Sequence, residues 1–150
     1  MNITVMYAGH PNWDKVADFA VHCSWRAGPH LAEMMRNNQF ADWERVIAAF
    51  SGDDPVGFCT LTAKDEMPDS CDFTPFIGFV FVSDAYRGMR ISAQMIDAAA
   101  AFAGSLGFHT VYVTSDERGL YEKYGFVLHG LVKNAQNEIT QLFAKSITKR

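Results

Sequence analysis

The sequence predicts an α+β fold in which a mixed β-sheet packs against helices. Apolar residues recur at strand and helix spacing in the order β, α, α, β, β, β, α, β, α, β, β. The run from Phe76 to Val82 is apolar at every position, which is typical of a central strand covered on both faces. The chain has 150 residues, 49% of them hydrophobic, which is enough for one domain with a single core.

The first half of the chain is predicted to form a strand, two helices and a hairpin. Residues 3–8 have β-type apolar spacing, and Asn12 is the predicted N-cap of the first helix. Pro29 opens a second, shorter helix. The apolar period then changes to two, and the polar turn at residues 51–55 joins two strands as an antiparallel hairpin.

The second half is predicted to alternate strands with helices. After the central strand, apolar positions at helical spacing indicate the longest helix, which Gly107 ends. A short helix follows the next strand, and Gly125 stops it. The predicted elements are helices over residues 88–106 and 117–124 and strands over residues 110–114, 126–132 and 139–144.

Charge and cysteine content argue against several functional classes. With 13 Lys and Arg against 17 Asp and Glu the net charge is −4, so we expect no nucleic-acid partner; the only basic cluster is the Lys149 and Arg150 pair. Three cysteines without zinc-type spacing favour free thiols in a reducing compartment. The N-terminus lacks a signal-peptide pattern, and no run reaches the roughly 18 apolar residues of a membrane span. We therefore expect a cytoplasmic protein without a membrane partner.

An anion site is predicted where the central strand leads into the longest helix, in the segment VFVSDAYRGMRIS at residues 80–92. The first turn of a helix presents free N–H groups and the positive end of its dipole. Gly88 has no Cβ that would hold a phosphate away, and Arg87 and Arg90 can donate charge-assisted hydrogen bonds to phosphate oxygens.

Two motifs in the second half of the chain carry a family resemblance. The run VSDAYRG at residues 82–88 is similar to the strand-to-helix signature V-x-P-x-Y-R-G-x-G-x-G/A, and GLYEKYGF at residues 119–126 is similar to an L-Y-E-K-x-G-F box. Both belong to the GNAT superfamily of acyl-CoA-dependent N-acetyltransferases, which the chain resembles over nearly its whole length. The resemblance implies a mostly antiparallel central sheet of about seven strands flanked by about four helices.

The resemblance also implies an activity, which is transfer of an acetyl group from acetyl-CoA to a primary amine of a small molecule or peptide by direct attack. A strand that splays from its neighbour would bind the thioester and pantetheine, and the turn after it would bind the pyrophosphate. The implied cofactor-binding residues are Val80, Phe81, Val82, Arg87, Gly88, Met89, Arg90, Ile91 and Ser92.

Three positions depart from the family signature. Asp84 stands where the signature has Pro, and Arg90 and Ser92 stand where it has Gly or Ala. Arg90 brings a Cβ to a crowded turn, although its guanidinium could grip a phosphate directly. Asp84 places a negative charge near a polyanion unless its carboxylate caps the turn or pairs with an arginine.

The family often supplies the proton for the departing thiolate from a tyrosine in the second motif, and Tyr121 occupies that position. Its phenol, with an unperturbed pKa of about 10, is protonated at neutral pH. The alternative is that Tyr121 packs on the sheet, which is the interpretation preferred for Tyr124. The central strand has no ionisable group, so the base is left open among Glu66, Asp69 and Asp72 in the preceding loop and a chain of water molecules.

In this family the acceptor usually lies between the loops at residues 24–30 and 133–138. Trp25 could wall that pocket and Arg26 could clamp an anionic group of the acceptor. The structural alternatives are an edge of the core for Trp25 and a solvated surface charge for Arg26. The five histidines lack ligand spacing, so no metal is expected. A monomer and a homodimer are both compatible with the sequence.

Two other functions are compatible with the same residues. The altered turn at Arg90 and the missing strand carboxylate are compatible with a non-catalytic module that binds CoA or another nucleotide. A scaffold without a cofactor is the third possibility. Release of the CoA thiol in the presence of amines distinguishes the enzyme from both.

Overall fold

A computed structural model describes residues 1–147, and the predicted basic pair Lys149 and Arg150 lies outside the described residues. The element order agrees with the sequence prediction. The strands are β1 (Asn2–Met6), β2 (Arg45–Ser51), β3 (Asp54–Thr62), β4 (Phe76–Val82), β5 (Thr110–Ser115), β6 (Val127–Lys133) and β7 (Ile139–Ser146). The helices are α1 (Trp13–His22), α2 (Gly28–Arg36), α3 (Ile91–Ser105) and α4 (Leu120–Lys123).

The seven strands form one sheet in the order β1-β2-β3-β4-β5-β7-β6. Only β4 and β5 run parallel, because α3 connects them as a crossover; every other neighbouring pair is antiparallel. The predicted α+β fold, with a mixed and mostly antiparallel sheet flanked by four helices, is confirmed.

The two faces of the sheet carry different helices. On the first face α1 and α2 pack over β1 to β3, with Val16, Leu31 and Phe58 fully buried between the layers. On the second face α3 and α4 pack on a core that includes Met95, Ile96 and Val111 and that reaches Phe143 on β7. The central strand β4 is covered on both faces, as its apolar sequence predicts.

Strand β4 carries a bulge near its middle. Phe58 pairs with Phe81 and Thr60 pairs with Gly78, so Cys59 alone faces the two residues Phe79 and Val80. Phe79 adopts a left-handed backbone with φ of 50°, which is uncommon for a residue other than glycine. The bulge changes the direction of β4 just before the segment that was predicted to bind the cofactor.

Several predicted element boundaries are wrong; the first strand, for example, ends at Met6 rather than at residue 8. The longest helix begins at Ile91 rather than at residue 88, because a 3₁₀ turn at Asp84–Tyr86 and a left-handed Arg90 precede it. Helix α4 comprises only Leu120–Lys123, and β7 continues to Ser146. Among residues 1–147 no helix has the length and apolar character needed to cross a bilayer.

Candidate active site

A cavity opens where β4 and β5 separate. The two strands pair only at Phe76 and Tyr112, and beyond this point the gap between them widens into a cavity of about 870 Å³. Residues from both faces of the sheet line it: Trp25 lies on the first face and Tyr121 on the second. A cavity of this size is in the range of those that hold cofactors and small-molecule substrates.

The β4 backbone along this cavity has no strand beside it on the β5 side. Val80, Phe81 and Val82, which were predicted to bind the thioester and pantetheine, all line the cavity. An unpaired strand edge presents N–H and C=O groups to which an extended ligand can add. The splay of the two strands therefore places these three residues as the sequence predicted, and their binding role stays a prediction.

The turn before α3 is open to an anion. Gly88 has φ of +80° and nothing within 4 Å of the place where a Cβ would stand, so the glycine serves the backbone conformation rather than a crowded contact. Arg90 is the N-cap of α3, and no side chain hydrogen-bonds to the N–H groups of the first helical turn. Those N–H groups remain available for phosphate oxygens at the mouth of the cavity.

Arg87 is held by two contacts at this turn. Its Nη1 lies 3.1 Å from Oδ1 of Asp84, and its Nε donates to the carbonyl oxygen of Val82 at 3.2 Å. Asp84 therefore pairs with an arginine, which is one of the two arrangements expected to make its negative charge compatible with a bound polyanion. Arg90 lines the cavity and has no ion-pair partner within residues 1–147.

The other predicted cofactor residues differ in placement. Ile91 is buried and Ser92 is half-buried, and both line the cavity together with Gly88. Met89 is 54% exposed and does not line it. Eight of the nine predicted cofactor residues thus surround one cavity, and Met89 lies outside its wall.

Tyr121 forms part of the cavity wall from α4. Its ring contacts Phe126 and Phe143 at centroid distances of 5.8 and 5.9 Å, and the residue is 8% exposed. Burial raises the pKa of the Tyr121 phenol well above its ordinary value, and nearby ionisable groups, with Cys59 first, raise it further. The phenol is therefore protonated at any working pH, as a proton donor must be.

On the first face Trp25 lines the cavity and also packs in the core. Its ring stacks on Phe81 with a centroid distance of 6.0 Å and an interplanar angle of 4°, and it meets Phe79 edge-on at 6.0 Å. Both interpretations of Trp25 are therefore compatible with its position. Arg26 is exposed and does not line the cavity, nor do residues 133–138.

The loop after β3 supplies a residue that the sequence analysis missed. Asp65 and Glu66 line the cavity, whereas Asp69 and Asp72 are exposed and do not. The sequence analysis did not consider Asp65. A local signal indicates only the turn in which it lies, since Asp65 follows Thr62 at the spacing of a side-chain-capped turn; that signal does not indicate that the carboxylate lines a cavity. In the part of the chain that the structure describes, no three His, Cys, Asp or Glu side chains are grouped to hold a metal ion.

Comparison with known proteins identifies a family and a set of similar folds. Residues 12–126 match the Acetyltransferase (GNAT) family. An aminoglycoside 6'-acetyltransferase of type Ii is similar over 100% of this chain and 99% of its own, with 20% identity and a TM-score of 0.73. The aminoglycoside 6'-N-acetyltransferase from Enterococcus faecium is similar over the same shares, with 18% identity and a TM-score of 0.70.

A CoA complex is among the similar structures. The GNAT family N-acetyltransferase from Escherichia coli in complex with CoA is similar over 98% of this chain and 81% of its own chain, with 16% identity and a TM-score of 0.74. At these identities the solved structures establish a shared fold. No curated protein matches the sequence significantly.

Proposed function

We propose that this chain, which belongs to the GNAT family of acetyltransferases, transfers an acetyl group from acetyl-CoA to a primary amine of a small molecule or peptide by direct attack in a ternary complex. The CoA complexes among the similar structures support acetyl-CoA as the donor. The single observation that supports this proposal is the cavity between β4 and β5. It joins the anion-binding turn, the unpaired edge of β4 and Tyr121 in one space.

The donor is proposed to lie along the second face of the sheet. The first N–H groups of α3, with Arg87 and Arg90, would bind the pyrophosphate, and the edge of β4 from Val80 to Val82 would hold the pantetheine and the thioester carbonyl. A backbone N–H at that edge would also stabilise the oxyanion that develops on the carbonyl during attack. Local cations matter here because the whole chain carries a charge of −4 and the donor is itself an anion.

The chemistry requires movement of two protons. An amine attacks only when neutral, so its ammonium form first loses one proton; the C–N bond then forms and the C–S bond breaks. Tyr121 would protonate the departing sulfur and regain a proton from the nitrogen, directly or through water. The net products are an amide, the CoA thiol and one proton. In this mechanism a backbone N–H of β4 stabilises the oxyanion, and the phenol of Tyr121 donates and regains a proton.

Release of the CoA thiol tests the enzyme proposal. Incubation of the purified chain with acetyl-CoA and a panel of primary amines, including an aminoglycoside, an aliphatic diamine and a peptide with a free N-terminus, should release thiol in step with N-acetyl product. Binding of acetyl-CoA without release by any amine would instead favour the non-catalytic module.

The Tyr121→Phe variant tests the proton donor. Removal of the hydroxyl should lower kcat by roughly 10²- to 10⁴-fold, because general acid catalysis contributes that much, while acetyl-CoA affinity measured by calorimetry stays unchanged. Tyr124→Phe is the matched control, since Tyr124 is a half-buried phenol whose ring lies 6.0 Å from that of Tyr121. Full turnover by the Tyr121 variant, or an equal loss in both variants, would remove Tyr121 from the mechanism.

We also propose that the enzyme works in the cytoplasm. Cys23, Cys59 and Cys71 are all unpaired, which suits the reducing cytoplasm. We propose in addition that the chain is a single acetyltransferase domain, because its described elements from Asn2 to Ser146 share one sheet.

A further inference from the structure

Asp65 is fixed in place by the loop that follows β3. Its backbone is left-handed, with φ of 51°, and its N–H donates to Oγ1 of Thr62 at 3.1 Å. The carboxylate lies directly over Gly78 on β4, where an ideal Cβ would stand 2.6 Å from Cγ of Asp65. Only a glycine at this position leaves room for the carboxylate, which is therefore held against the bare backbone of the central strand.

The position of Gly78 relates Asp65 to the reacting centre. Gly78 comes directly before the bulge at Phe79, and Val80 begins the segment proposed to hold the thioester. Gly78 also pairs with Thr60, which lies on the same face of β3 as Phe58 beneath α1. The carboxylate thus occupies the first face of the sheet, opposite the face of α3 and its anion-binding turn.

No cation among residues 1–147 neutralises Asp65. It forms no ion pair within residues 1–147. The adjacent Lys64 is directed elsewhere, because its Nζ donates to the carbonyl oxygens of Cys71 and Phe73, the latter at 3.2 Å. A half-buried carboxylate that lines a cavity without a counter-charge is poised to accept a cationic group from a ligand.

The neighbouring wall of the cavity is aromatic. Trp25 and Phe79 both line it, and packing between Trp25 and Phe81 fixes the indole ring. Aromatic faces attract ammonium groups through the ring quadrupole. The first-face side of the cavity therefore combines a carboxylate with aromatic surface, which is a combination suited to a cationic amine and unsuited to an anionic acceptor.

We propose that Asp65 is a catalytic residue that binds the ammonium group of a cationic acceptor amine and takes one of its protons before attack on the thioester. This inference rests on the proposed acetyltransferase function and names its acceptor class and its base. The proton passes from the ammonium nitrogen to a carboxylate oxygen of Asp65, which leaves a neutral amine beside the bulge of β4. The protonated carboxyl then returns to the carboxylate by releasing the proton to water in the cavity.

The electrostatic setting suits this role. Burial raises the pKa of Asp65 to about 7, and the charge of Glu66 contributes further, against a smaller lowering by a backbone hydrogen bond from Glu66. The α4 side of the cavity adds Glu117, Tyr121, Lys123 and Tyr124, and the turn before α3 adds Tyr86, Arg87 and Arg90. A carboxyl with this pKa is ionised just above neutrality and is a stronger base than an ordinary aspartate.

The experiment compares Asp65→Asn with Asp69→Asn, an exposed residue of the same loop outside the cavity. Three acceptors are used: an aliphatic diamine, which is cationic at neutral pH; an ω-amino acid of the same length, which carries a carboxylate; and an arylamine, which is neutral at that pH. Thiol release is followed between pH of about 5.5 and 9. Calorimetry with acetyl-CoA reports whether each variant retains its fold and its donor site.

In the wild type, kcat/KM for the diamine should rise with pH through about 7, because the active form of Asp65 is the carboxylate and its fraction grows as the proton is lost. Asp65→Asn should lose roughly 10²- to 10⁴-fold with the diamine near neutral pH, and its kcat/KM should rise only with the neutral fraction of the amine, without an inflection near pH of about 7. The variant should lose far less with the arylamine and should bind acetyl-CoA normally. Asp69→Asn should behave like the wild type.

Equal diamine turnover by the two variants, or an equal loss with diamine and arylamine, would overturn the proposal. The wild type provides a test that does not depend on the folding of a variant: it should prefer the diamine over the ω-amino acid, and the opposite preference would contradict a carboxylate in the acceptor site. Failure of the proposed function has a different signature, because the wild type would then release no thiol with any of the three amines.

Discussion

Arg90 adopts a left-handed backbone conformation with φ of 61° and ψ of 24°. For a residue with a Cβ this conformation costs about 1 to 2 kcal/mol, and such strain is typical of functional sites. The family signature has Gly or Ala at this position, and this chain instead places a guanidinium at the mouth of the cavity. If Arg90 binds the pyrophosphate as proposed, its charge offsets this strain.

Two variants of Arg90 separate strain from charge. Arg90→Gly relieves the backbone, whereas Arg90→Ala retains a Cβ, so the glycine variant should be about 1 kcal/mol more stable in urea unfolding. Both should bind acetyl-CoA about tenfold or more weakly, since a hydrogen bond to a charged group is lost. Equal stability of the two variants would contradict the strain, and unchanged affinity would exclude Arg90 from the donor site.

Individual site residues were predictable from sequence only where a local motif fixes them. The Arg87 turn and Tyr121 follow from short motifs, and the structure places both on one cavity. Asp65 was missed because its importance depends on Gly78, which is thirteen positions away and comes close only through the pairing of β3 with β4. Burial of a loop carboxylate is a tertiary property that no local pattern encodes.

At the scale of elements, the sequence predicted the order of strands and helices better than their ends. Periodicity correctly indicated α3, but its start moved to Ile91 because the residues before it form a 3₁₀ turn and a left-handed N-cap. The bulge at Phe79 was not predicted, although Gly78 directly before it is a signal, because an isolated glycine inside a strand often marks a bulge or a close approach of another group. The position of the bulge itself depends on pairing with β3, which the sequence of β4 alone does not give.

The contact between β4 and the loop after β3 can be tested by a double-mutant cycle. Gly78→Ala should cost about 1 to 3 kcal/mol of unfolding free energy, because the new Cβ overlaps the Asp65 carboxylate. In an Asp65→Ala background, where the three overlapping atoms are absent, the same change should cost much less. A cost that is equal in both backgrounds would show that the carboxylate does not lie over Gly78.

In the molecule as a whole, the two faces of the sheet contribute different groups to the cavity. The second face presents the turn before α3 and Tyr121, the first face presents Trp25 and Asp65, and the gap between β4 and β5 connects them. The sequence predicted the fold and the groups on the second face, because the fold follows from local periodicity and that face carries both motifs. On the first face it predicted Trp25 as a wall of the cavity but missed Asp65, and Arg26 and residues 133–138, which it also placed there, do not line the cavity.

A crystal structure of the full chain with bound CoA would show whether the gap between β4 and β5 holds the acyl donor. We expect pyrophosphate oxygens within hydrogen-bond distance of backbone N–H groups in residues 87–92 and the sulfur in the gap between β4 and β5, on the Tyr121 side of Gly78. A pyrophosphate bound away from the start of α3, or a sulfur outside that gap, would contradict this expectation.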